Sequence, residues 1–217
     1  ITPIKNLTNI KDLVLGGNHI SNYSGLEQYI ADRVAKQQEG EGSVSFAGQR
    51  INYDKTIDVS RSNVSIDSPF KGINELGEKL AKVFESDKPV NLFSEVTTNV
   101  DGVSATYNPE TSKFDFTFTE EFLNKNQGKV IPINLKVGVG DYAWNVKNIK
   151  LNIVEKEIFK DKVLATKFKG KDLSKVTELT NLYGVKDLSG IENLTNLTKL
   201  EINGEYNDIK DIAPIAN

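Results

Sequence analysis

Few side chains in this sequence could do chemistry. The sole histidine, His19, lies between Asn18 and Ile20 with no nucleophile near it. A lone imidazole so placed reads as a surface residue at a turn rather than a general base. Glu120-Glu121 is the nearest approach to a carboxylate pair, but adjacent residues point to different faces of any regular element. Gly138-Val139-Gly140-Asp141 lacks the following helix and the lysine or third glycine of a phosphate cradle, so it reads as a hairpin turn. Cysteine is absent, which removes thiolate metal sites, disulfides and a cysteine nucleophile. No D-x-D-x-D-G calcium loop occurs. Neither a metal nor an organic cofactor is expected, and the expectation is a non-enzyme.

Composition narrows the partners. Net charge is −3 over 217 residues, without a basic face for phosphate backbones or an acidic tail, so a nucleic-acid partner is not expected. The short basic run Lys167-Phe168-Lys169-Gly170-Lys171 reads as a solvated helix end. Apolar runs fall far short of the ~18–20 residues of a membrane span. Ile1-Thr2-Pro3-Ile4 carries no signal-peptide character. The missing methionine suggests an excised fragment. Absence of cysteine fits a cytosolic protein and a Gram-positive secreted one equally. Asn-x-Ser/Thr sequons stand at Asn6, Asn22, Asn63, Asn193 and Asn196.

The elements that would position side chains begin with a repeat. Ile4, Leu7, Ile10, Leu13 and Leu15 are followed by Asn18 and Ile20, and Ile191, Leu194, Leu197, Leu200 and Ile202 copy that spacing. Asn207 and Ile209 arrive two residues late, which places a short insertion at Gly204-Glu205-Tyr206. Steps of three, then two, then an asparagine fit a leucine-rich-repeat turn better than the mixed threes and fours of a helix. Leu13 and Leu15 would point inward from a short strand, and Asn18 would bury its amide against the turn backbone. Leu173, Val176, Leu179, Val185 and Leu188 form a less regular preceding turn, as a solenoid cap requires. Ile1-Thr2-Pro3-Ile4 occupies the repeat position of Ile212-Ala213-Pro214-Ile215, so further repeats are expected to flank the segment.

Between the repeats the period changes. Ser24 and Glu27 have capping-box spacing, and Leu26, Tyr29, Ile30, Ala31 and Val34 predict a helix ending in a loop at 36–42. Val44-Ser45-Phe46 would be a last repeat strand. From Ile51 to Glu155 alternation predicts strands at 56–60, 63–67, 89–96, 103–108, 113–119, 129–138 and 142–154. Turns are marked by Asp101-Gly102, Asn108-Pro109 and Gly140-Asp141. Seven short strands in about 105 residues suggest a β-sandwich, with Trp144 expected in its core rather than as an exposed anchor. A short helix or an irregular excursion is predicted over 73–84, and a short helix over 159–168.

This order resembles the internalins and related leucine-rich-repeat proteins of Gram-positive bacteria. Asp187-Leu188-Ser189-Gly190-Ile191-Glu192-Asn193-Leu194-Thr195-Asn196-Leu197 looks like that family's cap-to-repeat transition. Asp211-Ile212-Ala213-Pro214-Ile215-Ala216-Asn217 is similar to its inter-strand stretch, and Val44 to Ile51 to its passage into an immunoglobulin-like inter-repeat domain. The family order is cap, repeats, β-domain; here it is repeat, β-domain, cap, repeat, a tandem junction or a rearrangement. The expected fold is mixed and mainly β, with leucine-rich-repeat turns at both ends flanking an immunoglobulin-like sandwich and short capping helices. The expected divisions are 1–50, 51–156 and 157–217. The resemblance implies a protein ligand, on a host cell for example, and a secreted or cell-wall-associated location. The strand residues that would face that ligand are Asp12, Val14 and Gly16 at one end and Lys199, Glu201 and Asn203 at the other. A structural spacer and an accessory domain of a larger secreted enzyme are the alternatives. Weak head-to-tail self-association through open repeat ends is also expected.

Overall fold

The computed structural model describes residues 2–140, 143–155, 157–204 and 206–216, leaving aside the side chains of Thr2 and Pro3. Ile1, Asp141, Tyr142, Lys156, Glu205 and Asn217, several of which enter the expectations above, lie outside the described residues. The chain is mixed and mostly sheet, in two compact units: residues Ile1–Phe122 with Val130–Ile153, and Leu123–Lys129 with Val154–Asn217.

The first unit opens with a 3-10 helix, Thr2–Asn6, and strand β1, Asp12–Val14. Helix α1 (Glu27–Gln38) then leads to β2 (Ser43–Ser45), which pairs in parallel with β1, Leu13 opposite Val44. Parallel neighbours require a crossover, and α1 supplies it. The helix runs to Gln38, past the predicted loop start. The capping box does not form: Leu26 is the N-cap without a side-chain bond, and the Ser24 amide instead donates to Asn22 Oδ1 at 3.0 Å. An Asx turn has taken the asparagine that precedes it.

Seven more strands build two sheets. One has the order β3 (Arg50–Val59), β9 (Trp144–Ile153), β8 (Val130–Val137), β5 (Val96–Thr98); the other has β4 (Asn63–Asp67), β7 (Lys113–Phe118), β6 (Val103–Asn108). Only β3 and β9 run parallel; the other pairs are antiparallel. The alternation is clean where it was read. Phe114, Phe116 and Phe118 are buried, as are Ile133, Leu135 and Val137, whose register partners on β9 are Ile149, Val146 and Trp144, also buried. A bulge in β9 sits at Asn148, whose φ of 67° an asparagine tolerates better than most residues.

Two readings are corrected in this region. The predicted strand over 89–96 forms only at Val96–Thr98. Upstream of it, the Val90 amide donates to Gly77 O and the Phe93 amide to Asn91 Oδ1. That irregular path drives Phe93 into the core, its ring 5.0 Å from Tyr107 in one sheet and 5.1 Å from Trp144 in the other. Trp144 is 4% exposed, core rather than anchor. The second correction is an unforeseen helix, α3 (Glu120–Asn126). Helix α2 (Ile73–Val83) falls where helical spacing put it, and packs on α1.

The second unit is built on α4 (Lys162–Phe168) and two short parallel strands, β10 (Glu178–Leu179) and β11 (Lys199–Leu200), with 3-10 turns at Leu173–Lys175, Ile191–Asn193 and Ala213–Ile215. Leu179 lies opposite Leu200. The core gathers Phe159, Leu164 and Phe168 with Leu179, Leu182, Val185, Leu188, Ile191 and Leu194, the last six in steps of three. Helix α4 starts at Lys162, three residues later than predicted, because Asp161 caps it through Val163 N and Leu164 N.

Candidate functional site

On β1 the buried Leu13 alternates with outward Asp12 and Val14, and Val14 is 68% exposed. Ser43 Oγ on β2 donates to Asp12 Oδ1 at 2.7 Å. Three side chains hold this edge in place. Gln49, fully buried, donates through Nε2 to Leu15 O at 2.6 Å and Phe46 O at 3.0 Å, and accepts from Ile20 N at 3.1 Å. Arg33 reaches from α1 to Thr8 O at 2.8 Å and to Ile10 O, with its guanidinium 5.0 Å from the Tyr29 ring centroid. Tyr23, with no exposed surface, donates to Phe46 O at 2.9 Å and accepts from Trp144 Nε1 at 3.2 Å. Burial pushes its phenol up to about 12, against the smaller opposing effect of the Trp144 bond.

Asn18 was expected to bury its amide. It is exposed, yet its Nδ2 donates to Leu15 O at 2.9 Å. The buried amide of this turn is Gln49, 31 positions further on in the sequence. Spacing within a single turn carries no signal for a partner so distant. Leu13, expected to point inward, is only 4% exposed, with Val44 of β2 as its register partner.

In the second unit Lys199 and Glu178 are register partners, and Lys199 Nζ lies 3.0 Å from Glu201 Oε1. The hydrogen bond and charge of Glu201, then the charge of Glu178, raise the lysine above its ordinary value. Asn203 is exposed just past β11. Charges thus alternate outward along this pair of strands, while Leu179 and Leu200 point the other way. Glu178 was not among the predicted face residues. The preceding turn is irregular, and only the strand register reveals its outward position.

Asparagines tie the turns together. Asn196 Nδ2 donates to Ser174 O at 2.6 Å, and Asn207 donates to Leu182 O and accepts from Val185 N, both at 2.9 Å. Each bond joins residues 22 to 25 positions apart in sequence. Asp161 adds another tie, accepting from Lys186 N at 2.8 Å and Asp187 N at 3.4 Å besides its cap bonds. Burial alone would raise its carboxyl, but the four backbone donors outweigh burial and hold it below the ordinary range.

His19 is exposed, and so are Glu120 and Glu121 at the start of α3. Among the described residues no cluster of three or more His, Asp or Glu could hold a metal, and no helix is long and apolar enough to cross a membrane. The predicted face residues fall in two sets, Asp12 and Val14 in the first unit and Lys199, Glu201 and Asn203 in the second. Comparison with protein families, with curated proteins and with solved structures finds no match to this chain.

Proposed function

We propose that this chain is a non-catalytic, protein-binding segment of a secreted or cell-surface bacterial protein, of the internalin-like kind, that recognises a protein ligand through its outward strand residues. One observation carries the reading. The two short parallel pairs, β1–β2 and β10–β11, spend one face on the core and turn the other to solvent, Val14 at 68% exposure foremost. An exposed apolar residue rimmed by polar ones is what a protein contact uses. The asparagine bonds between turns and the register of Leu179 with Leu200 support a leucine-rich-repeat character at that end. The strand orders β3-β9-β8-β5 and β4-β7-β6 around Trp144 support an immunoglobulin-like middle.

A spacer role is the second reading, favoured by Gln49. Its buried amide locks the turn at Leu15–Ile20 to the start of β3, a stiff joint of the sort that a rigid connector needs. Binding measurements separate the two. Fluorescent chain is applied to intact host epithelial cells, beside the variants Val14→Glu and Lys199→Glu. Val14→Glu is at an exposed site and should change folding stability by less than about 0.5 kcal/mol; Lys199→Glu also loses the Glu201 pair and faces Glu178, a larger but still modest cost. The adhesion reading expects saturable binding that both variants weaken. Binding absent from the wild type, or equal in all three, overturns it and leaves the spacer.

A further inference from the structure

We propose that Asn203 is a site of spontaneous covalent modification, closing onto the backbone nitrogen of Gly204 and reopening as aspartate or isoaspartate. Asn203-Gly204 is the only Asn-Gly pair in the sequence. Asparagine is among the thermolabile residues, and a following glycine leaves the attacking nitrogen without a side chain to shield it. The structure adds three observations. Asn203 is exposed, beyond the last residue of β11. Among the described residues nothing hydrogen-bonds its side-chain amide or the Gly204 nitrogen, whereas Asn193, Asn196 and Asn207 in the same unit all commit their amides to backbone carbonyls. A larger residue at 204 would also be crowded: a Cβ there would lie 3.0 Å from Leu182 O and 3.3 Å from both Asn207 Nδ2 and Tyr183 Cδ1. Local packing therefore favours the small neighbour that leaves this asparagine reactive.

The step needs only water. The Gly204 nitrogen loses its proton and bonds to Asn203 Cγ, the bond from Cγ to the side-chain nitrogen breaks, and ammonia leaves. Water then opens the five-membered imide at either carbonyl. Opening at Cγ gives aspartate, and opening at the main-chain carbonyl gives isoaspartate, whose backbone is one methylene longer. Either product adds a carboxylate beside Glu201, which already shares Lys199. The longer backbone also falls four residues before Asn207, whose amide holds Leu182 O and Val185 N. The reaction alters the charge of the predicted binding face with age, and it proceeds whether or not that face binds a protein.

The test incubates the purified chain in mildly alkaline buffer made with oxygen-18 water at physiological temperature, with samples taken over weeks for peptide mapping by mass spectrometry. Isoaspartate is counted with an isoaspartyl methyltransferase. Loss of the Asn203 amide with uptake of the heavy oxygen, faster than at any other asparagine and absent from Asn203→Gln, is the expected result. An intact Asn203 amide, while a short peptide of the same sequence converts, overturns the proposal. So does conversion that maps mainly to another asparagine.

Discussion

Gln49 bonds four backbone groups from a fully buried position, and nothing in its sequence surroundings announces it. Replacing it with alanine leaves Leu15 O, Phe46 O and Ile20 N to find other partners, at about 1–3 kcal/mol for a buried polar group left unpaired. Asn18→Ala removes an exposed bond to Leu15 O, which Gln49 also serves, and should cost about 1 kcal/mol or less. Denaturant melts of the two variants check the order; an Asn18→Ala loss that equals or exceeds that of Gln49→Ala would contradict the assignment of the hub. Asp161 makes a pH prediction. Its carboxyl is held below the ordinary value in the folded chain, so its contribution is fully present above the unfolded value of about 3.9 and is lost as pH falls through the folded one. The acid limb of the melting curve should therefore be shallower in Asp161→Asn than in the wild type. Parallel limbs would show that the four backbone donors contribute little.

Elements read well where one face alone is buried. Strands β6 and β7 and helix α2 fall at or within a residue of their expected limits, because periods of two and 3.6 survive in a single sequence. The strand expected over 89–96 failed because two partners captured its amides: Asn91, in a local Asx turn that competes with the strand, and the Gly77 carbonyl, 13 residues away and without a local sign. Gly77 shows the same override. Alanine is the better helix former by about 1 kcal/mol, yet a Cβ at this position would collide with the Val90 carbonyl. Gly77→Ala should lower stability by about 1–3 kcal/mol as overpacking does, measured by urea melts. A stabilised variant would mean that the segment around Val90 yields easily.

At the scale of the whole molecule, the last turn leaves apolar surface in water. Ile212 is 69% exposed and Ile215 46%, with Leu200, Ile202 and Ile209 only half-covered. The first turn has Leu7 at 50%. Apolar edges of this kind favour heterologous, head-to-tail contact. Sedimentation equilibrium at rising concentration should show weak association in the wild type and less in Ile202→Asp. A strict monomer at millimolar concentration, or association indifferent to the charge, would sink the expectation.

Taken alone, the sequence determined the mixed, mostly-sheet content, the three-residue steps that supply much of the second unit's core, and the buried face of the strands that formed where alternation placed them. These follow from periodicity, which neighbours in the chain encode. Only the tertiary structure decided the strand orders, the descent of Phe93 into the core, and the placement of Gln49, Tyr23 and Asp161 at their junctions. Each of these depends on a buried polar or aromatic group meeting partners tens of residues away. A hydrogen bond becomes obligatory when burial removes the competing water, and which groups are buried together is a property of the folded chain.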